Sequence, residues 1–405
     1  MTRTLQIIIL ITFLIISGIF FLFKPTKTNN EVVFWTLQMS DFAPYINSVI
    51  SEFEEQNPNI KIKWVDVPFS EGEKRTLASV LSDNPPDLVN LNPDFSSTLA
   101  NKKALYEISE EELKQFNPEI LNSLKTDGKI YSIPWYATSA ITIYNRDLIK
   151  KSNITVPKTY SDLFENAKFT RQYAYITFPN ITENDTMLKI LNKYGVANAQ
   201  DIKSNKSVNV FNSFKHLYQN DLIPKETVTV TLQEALGKYM SGNVVLLGAG
   251  ANFLNMIKEN SPSTYEKTDV APQITGELGQ NDFSLMNFVI PLKAKHKEQA
   301  LKFALFLTNN KNQLELAKLT NILATNAQTL QNDFYTHYNE GDLMAKARVI
   351  SAKQLNKVQP VFRTQKNQKD INNLVNTGVQ KILLGENTQK VLDEVSNSWE
   401  VLEKR

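Results

Sequence analysis

The chain has 405 residues, 44 Lys and Arg against 42 Asp and Glu, a net charge of +2 and no cysteine. That length can bury the cores of two lobes. The near balance of charge gives no sign of a nucleic-acid partner, and the lack of cysteine excludes disulfides, thiolate metal sites and cysteine nucleophiles.

The first feature along the chain is an uncharged apolar run from Leu5 to Phe23, preceded by Arg3 and followed by Lys24 and Lys27. The apolar region of a signal peptide is usually ~7–15 residues long and ends at a small-residue cleavage site. This run is longer, and Phe20-Phe21-Leu22-Phe23-Lys24-Pro25 is a poor cleavage site. A spanning helix needs about 20 apolar residues. The expectation is an uncleaved signal anchor, with Pro25 to Asn30 as a polar link. A removable signal with a site near Ser17-Gly18 is the alternative; both place the body outside the cytoplasm.

Val32 to Leu37 reads as a short buried strand. Phe42, Tyr45, Ile46, Val49, Ile50 and Phe53 recur at helical steps, and Pro58 follows where that helix must have ended. Ile60, Ile62 and Trp64 alternate as a strand; Glu71 to Ser82 reads as a helix, Leu88 to Leu91 as a strand, and Glu110 to Leu124 as a helix that can break at Pro118. Such alternation implies a mostly parallel sheet with helices on both faces.

Asp127-Gly128 is a turn signal. A strand from Ile130 to Ile133 should end at Pro134, because proline cannot donate to a sheet ladder. Trp135-Tyr136 follows, then a strand from Ala140 to Tyr144, then a helix start at Asn145-Arg146-Asp147-Leu148. Thr159 or Ser161 should cap the next helix. Tyr173 to Phe178 reads as a strand, Thr231 to Ser241 as a helix stopped by Gly242, and Val244 to Leu247 as a strand. Gly248-Ala249-Gly250 reads as a turn into a helix from Asn252 to Glu259, and Leu285 to Ile290 as a strand returning to the first lobe. Two amphipathic helices close the chain, their apolar stripes running from Ile371 to Trp399.

Five of these segments, in this order, resemble the extracellular solute-binding proteins of ABC importers, in the large family that mostly binds sugars. They are Val32-Val33-Phe34-Trp35 with its following helix, Pro86-Asp87-Leu88-Val89, the block from Gly128 to Ile149, Met240-Ser241-Gly242-Asn243-Val244-Val245, and the late helix pair from Ala300 to Leu319. The resemblance covers about residues 31 to 405 and implies an α/β protein of the two-lobed, type II periplasmic-binding-protein fold. An N-terminal membrane-spanning or signal helix in residues 1–30 would precede it. Residues 31–137 and 286–325 would form one lobe, and 138–285 and 326–405 the other. A hinge near Tyr136–Ala140 and Phe283–Asn287 would join them. The absence of cysteine excludes the lipidated cysteine that tethers many members. The implied function is capture of a mono- or small oligosaccharide and its delivery to the transmembrane permease subunits, by a monomer without a cofactor. Another polar solute, such as a polyamine or polyol phosphate, and a membrane-tethered sugar sensor are the alternatives.

In open α/β sheets ligands bind beyond the carboxyl ends of strands. That rule selects Gln38, Ser40 and Asp41 after the first strand, Asn92 and Asp94 after Leu91, and Trp135 and Tyr136 after Ile133. It also selects Phe178 and Asn180, then Gly248, Gly250 and Asn252, then Asn281, Asp282 and Phe283. A late loop contributes Phe362 and Arg363. Asp, Asn, Gln and Arg suit sugar hydroxyls, and aromatic rings suit sugar C–H faces. Asp94 resembles the family's hydroxyl-accepting acid, with helix capping as the competing role. Trp135 and Tyr136 match the family's cleft aromatics, at least one of them expected to pack in the hinge core. The family's Gly-Pro-Trp has no counterpart here: the chain has Gly250-Ala251-Asn252-Phe253. No Gly-x-Ser-x-Gly, Walker loop or Gly-x-Gly-x-x-Gly occurs, so the expectation is a binding protein and not an enzyme. The three histidines, His216, His296 and His337, read as surface residues.

Overall fold

In the computed structural model, residues 31–358 and 367–404 are described. The anchor expected at Leu5–Phe23, together with Phe362 and Arg363, lies outside them. Among the described residues no helix is long and apolar enough to cross a membrane.

Nine strands appear among the described residues: β1 (Glu31–Leu37), β2 (Lys61–Val67), β3 (Leu88–Leu91), β4 (Ser132–Thr138), β5 (Ala140–Asn145), β6 (Leu246–Gly250), β7 (Thr268–Ala271), β8 (Ser284–Val289) and β9 (Leu323–Ala324). They form two sheets, ordered β2-β1-β3-β8-β4-β9 and β6-β5-β7. The mostly parallel sheet expected from strand–helix alternation does not form. Only β1 with β2 and β1 with β3 run parallel; the pairs of β8 and β4 in the first sheet, and both pairs in the second, are antiparallel. The reason is connectivity. β4 leaves the first sheet for the second, and β8 comes back beside it, so the two must point in opposite directions.

The register places the functional edge. Leu91 pairs with Asn287 and Thr138 with Ser284. The carboxyl ends of β1, β3 and β4 therefore share one edge of the first sheet with the start of β8. In the second sheet Ala140 pairs with Gly250, and Thr142 with Gly248 and Ala271. The start of β5 and the ends of β6 and β7 thus share one edge as well. Thr138-Ser139-Ala140 joins the two edges directly.

Each sheet has its own core. Phe34, from the alternating β1, meets Phe288 and Phe303 edge-on at 5.6 and 5.3 Å, and Phe53 meets Phe303 at 4.9 Å. Behind the second sheet, Phe211, Phe214, Leu392 and Trp399 are buried in one cluster contributed largely by helices Asn205–Gln219, Gln368–Leu383 and Thr388–Lys404. Each such side chain contributes roughly 1.5–3 kcal/mol by leaving water.

Local chemistry accounts for several element ends. Asp127 and Gly128 have φ of 51° and 78°, and Thr126 and Lys129 exchange backbone hydrogen bonds of 2.9 and 3.0 Å, a two-residue hairpin turn. Asn145 accepts from the N–H groups of Asp147 and Leu148 and so starts helix Arg146–Lys151. Thr159 caps helix Tyr160–Thr170 reciprocally with Asp162.

Other expectations are corrected. Pro134 lies inside β4, not at its end; the register shifts between Pro134 and Tyr136, and such a bulge admits a residue with no N–H. Glu110 to Leu124 is not one helix: a short turn at Glu110–Leu113 precedes helix Pro118–Ser123, which Asn117 caps. Tyr173 to Phe178 forms only a bridge, Tyr175 to Val244, and Gly248 to Gly250 lies in β6 instead of a turn. Beyond residue 325 the chain stays on the first lobe for a stretch: Asn326 Nδ2 donates to Thr308 O (3.1 Å), and Tyr335 OH to Ile322 O (2.9 Å).

Candidate functional site

Where the two sheet edges meet, the second lobe holds a cavity of about 320 Å³. Its lining runs from the exposed Glu183, Thr231 and Gly248 to the buried Leu163, Ile190 and Phe214. Gly248 keeps the sheet surface open there, since a Cβ on it would meet no atom within 4 Å. The loop Thr177–Asn180 leaves Tyr175 and Ile176 on the same edge, because both accept hydrogen bonds from the start of the β6 segment (2.9 and 3.0 Å).

Asp282 and Lys193 form the charged wall. Lys193 follows helix Thr186–Asn192 and is 1% exposed. Its ammonium donates to Asp282 Oδ2 (2.8 Å), Gln273 Oε1 (3.0 Å) and Ile274 O (2.9 Å), which uses all three protons. Asp282 Oδ1 is also buried, yet has no hydrogen-bond partner among the described residues. A buried carboxylate oxygen left without a donor is costly unless something supplies one. Tyr160 stands beside the pair, 5.9 Å from its ring to Lys193 Nζ. Burial, and then the charge of Asp282, push its phenol up, so it stays protonated.

Around this wall the crossing segments are tied by side-chain amides. Gln354 Nε2 donates to Ser139 Oγ (2.8 Å) and Ala140 O (2.9 Å), and its Oε1 accepts from Gln273 N (2.7 Å). Gln273 Nε2 donates to Asp282 O (2.9 Å) and its Oε1 accepts from Asp282 N (2.8 Å). Asn281 Nδ2 donates to the carbonyls of Gln354 and Lys357, both at 3.1 Å.

The residues expected from strand ends fall into groups. Gln38, Ser40 and Asp41 are exposed on the rim beyond β1, Gln38 with a left-handed φ of 50°. Asn92 caps helix Pro93–Asn101 by accepting from Phe95 N (2.8 Å), so the capping role weighed for Asp94 belongs to Asn92. Asp94 is exposed in the first turn, where the helix dipole favours a negative charge. None of these five lines the cavity. Phe178 and Asn180 do. Asn180 is spent on its loop, donating to Val230 O and accepting from Thr182 N. Gly250 and Asn252 stand on the facing edge, Asn252 exposed, and Phe283 is half-buried at the crossing.

Trp135 is a correction. It is 0% exposed, stacked on Phe288 at 4.6 Å, and part of the first lobe's core, so it offers no surface to a ligand. The strand bulge turns its ring inward. Tyr136, half-buried, meets it edge-on at 5.1 Å, and burial pushes the Tyr136 phenol up to about 12. Lys193, Gln273 and Gln354 were not singled out from the sequence. The one signal for Lys193 is its spacing from Ile190, which puts a charge on a helix's apolar face. Among the described residues no group of three or more His, Asp or Glu could hold a metal ion.

Residues 48–342 match the family described as bacterial extracellular solute-binding protein. The multiple sugar-binding protein of Streptococcus mutans is 24% identical over 317 residues, 70% of this chain and 73% of that protein. A periplasmic-binding protein of Synechococcus sp. MITs9220 superposes with a TM-score of 0.80 at 24% identity, covering 92% of this chain and 99% of that one. A sugar-binding protein of Xanthomonas citri does so with a TM-score of 0.78 at 18% identity, covering 93% and 98%. These neighbours are two-lobed binding proteins, the architecture in which two sheet edges meet at a crossing. The chain belongs to the bacterial extracellular solute-binding protein family.

Proposed function

We propose that this protein is the extracytoplasmic substrate-binding component of an ABC importer, capturing a mono- or small oligosaccharide between its lobes and delivering it to permease subunits. The observation that carries this is Asp282. Lys193 holds one of its oxygens, the other has no donor among the described residues, and the side chain keeps 28% of its surface accessible at the cavity wall. A ligand hydroxyl is a natural donor to this carboxylate, and the charge-assisted bond so formed is a strong one. The sugar ligands named for relatives in Streptococcus mutans and Xanthomonas citri point the same way.

In this reading the first lobe takes residues 31–138 and 284–335, and the second most of the rest. Gln38, Ser40, Asp41, Asn92, Asp94 and Tyr136 meet the ligand from the first lobe or the junction on closure. Phe178, Asn180, Gly250, Asn252 and Phe283 frame it from the other side, with Arg363 on the late loop. The protein binds without turnover, acts as a monomer and is held at the membrane by residues 5–23.

The test is a thermal-shift screen over a broad panel of sugars, amino acids, peptides and metal ions. A ligand at a hundredfold excess over Kd stabilises the folded state by about 2.7 kcal/mol. At least one sugar should raise the melting temperature clearly. Shifts confined to amino acids, peptides or metals would defeat the reading.

A further inference from the structure

Resting on the carbohydrate reading, we propose that the sugar unit held by the second lobe carries an apolar substituent, a methyl-bearing acyl or deoxy group or a short alkyl aglycone, which enters the cavity. A bare sugar presents hydroxyls around its rim, and a site built for it matches them with polar groups. The deep part of this cavity does not. Leu163, Ile190, Phe214 and Leu246 line it, 2%, 4%, 1% and 2% exposed. Several polar groups near them are already engaged: Lys193 by its three acceptors, Gln273 by Lys193, Asp282 and Ser139, and the Thr142 Oγ1 proton by Pro272 O at 2.9 Å. A hydroxyl pushed among the four apolar side chains would lose its water for little return.

Asp282, whose side chain keeps 28% of its surface accessible, stands at the wall, where a ring hydroxyl can meet its carboxylate while the substituent points inward. The space matches this division. About 320 Å³ is at the low end of ligand pockets, which run ~300–1,000 Å³, and suits one small unit with a side group, not several rings. An apolar group entering such a cavity replaces poorly bonded water and fills contacts that the walls otherwise lack.

The experiment is calorimetry on matched pairs: glucose against N-acetylglucosamine and butyl glucoside, and galactose against N-acetylgalactosamine and fucose. The wild type is compared with Ala235→Leu and Ile190→Phe, both of which add bulk at cavity-lining positions. The expected result is that one substituted sugar binds at least tenfold more tightly than its parent. The filling variants should erase that advantage. Which arm wins identifies the substituent as acyl, deoxy or alkyl. Melting curves without ligand confirm that each variant folds, and Ala235→Leu, the smaller change, serves if Ile190→Phe does not. Parents that bind as tightly as every substituted partner overturn this proposal while leaving the carbohydrate reading intact. Binding of no sugar at all removes that reading, and this one with it.

Discussion

Lys193 Nζ lies 2.8 Å from Asp282 Oδ2 and joins a helix of the second lobe to the segment that returns to the first. Lys193 is buried, while the Asp282 side chain keeps 28% of its surface accessible. Removing one partner of a fully buried pair costs about 3–5 kcal/mol, because the other charge is left uncompensated. The partial access of Asp282 reduces this for Lys193→Met, for which a loss of roughly 2–3 kcal/mol is expected. Asp282→Asn strands the deeper charge and should cost about 3 kcal/mol or more. Urea melting of both variants is the check. Losses within about 0.5 kcal/mol of wild type, the range of ordinary surface changes, would show that the pair is incidental.

Trp135→Ala should act on stability, not on ligand contact. The ring is fully buried against Phe288, and truncating such a side chain costs about 3–5 kcal/mol. Trp135→Phe should cost much less, because the indole Nε1 is buried with no hydrogen-bond partner among the described residues and phenylalanine removes that donor. Denaturant midpoints of the two variants test the contrast. A Trp135→Ala protein as stable as the parent, with weakened sugar binding, would return Trp135 to the cleft.

What could be read from the sequence was what short stretches of chain decide alone. Asp127-Gly128 forms its turn and Asn145 its cap because their partners lie within three residues. The order of strands and helices follows from local periodicity in the same way. The cavity depends on neighbours far along the chain. Lys193 reaches Asp282 and Gln273, and Gln354 reaches Ser139, and no local pattern encodes such pairings. Trp135 misleads for a related reason. Its place after a proline suggests a strand end, but the bulge continues β4 and Phe288, on another strand, receives the ring. Capping is weighed for Asp94 and found at Asn92 because both residue types can cap a helix; only the backbone decides that Asn92 stands at the capping position.

Stability should fall at both ends of the pH scale, for opposite reasons. Burial pushes the phenols of Tyr136 and Tyr144 up to about 12, with Asp269 adding to the second, and those of Tyr45, Tyr239 and Tyr335 higher still. A raised folded value means that the unfolded chain ionises first. The stability from these groups is complete below about pH 10, the unfolded tyrosine value, and is lost as pH rises toward 12 and beyond. For Asp269, burial raises the carboxyl but hydrogen bonds from Lys346, Val270 N and Tyr144 outweigh it, and the net shift is downward. Its contribution is complete above about pH 4 and drains as pH falls toward its lowered folded value. Chemical denaturation across the range, with phenolate absorbance followed at the alkaline end, checks both signs. Phenols that all titrate near 10 in the folded protein would contradict the burial account.

The apolar run Leu5–Phe23 should remain on the mature protein, because it is long for a signal and lacks a good cleavage site. Mass spectrometry of protein purified from the membrane fraction reads this directly. A mature N-terminus between Gly18 and Glu31 would show that the segment is removed.

The last prediction concerns closure. Gln354, 5% exposed, lies at the end of helix Leu343–Gln354 and bonds to Ser139 and Ala140 at the first crossing and to Gln273 beside the second. It does not line the cavity. Hinges need only a few element-terminal residues to absorb a rotation, and these segments are such residues. Gln354→Ala leaves Gln273 N without its acceptor in a buried site, at a cost of about 1–3 kcal/mol where water cannot enter, and loosens Ser139 Oγ and Ala140 O, to which Gln273 Nε2 still donates at 3.2 and 3.4 Å. The pivot should then be less well defined, and sugar affinity should drop severalfold although no ligand contact is lost. Solution scattering should show the wild type contracting on saturation with its sugar, and calorimetry should show the weaker binding of Gln354→Ala. A radius of gyration that does not change on saturation would sink closure as the mechanism. Unchanged affinity and stability in Gln354→Ala would instead locate the pivot elsewhere.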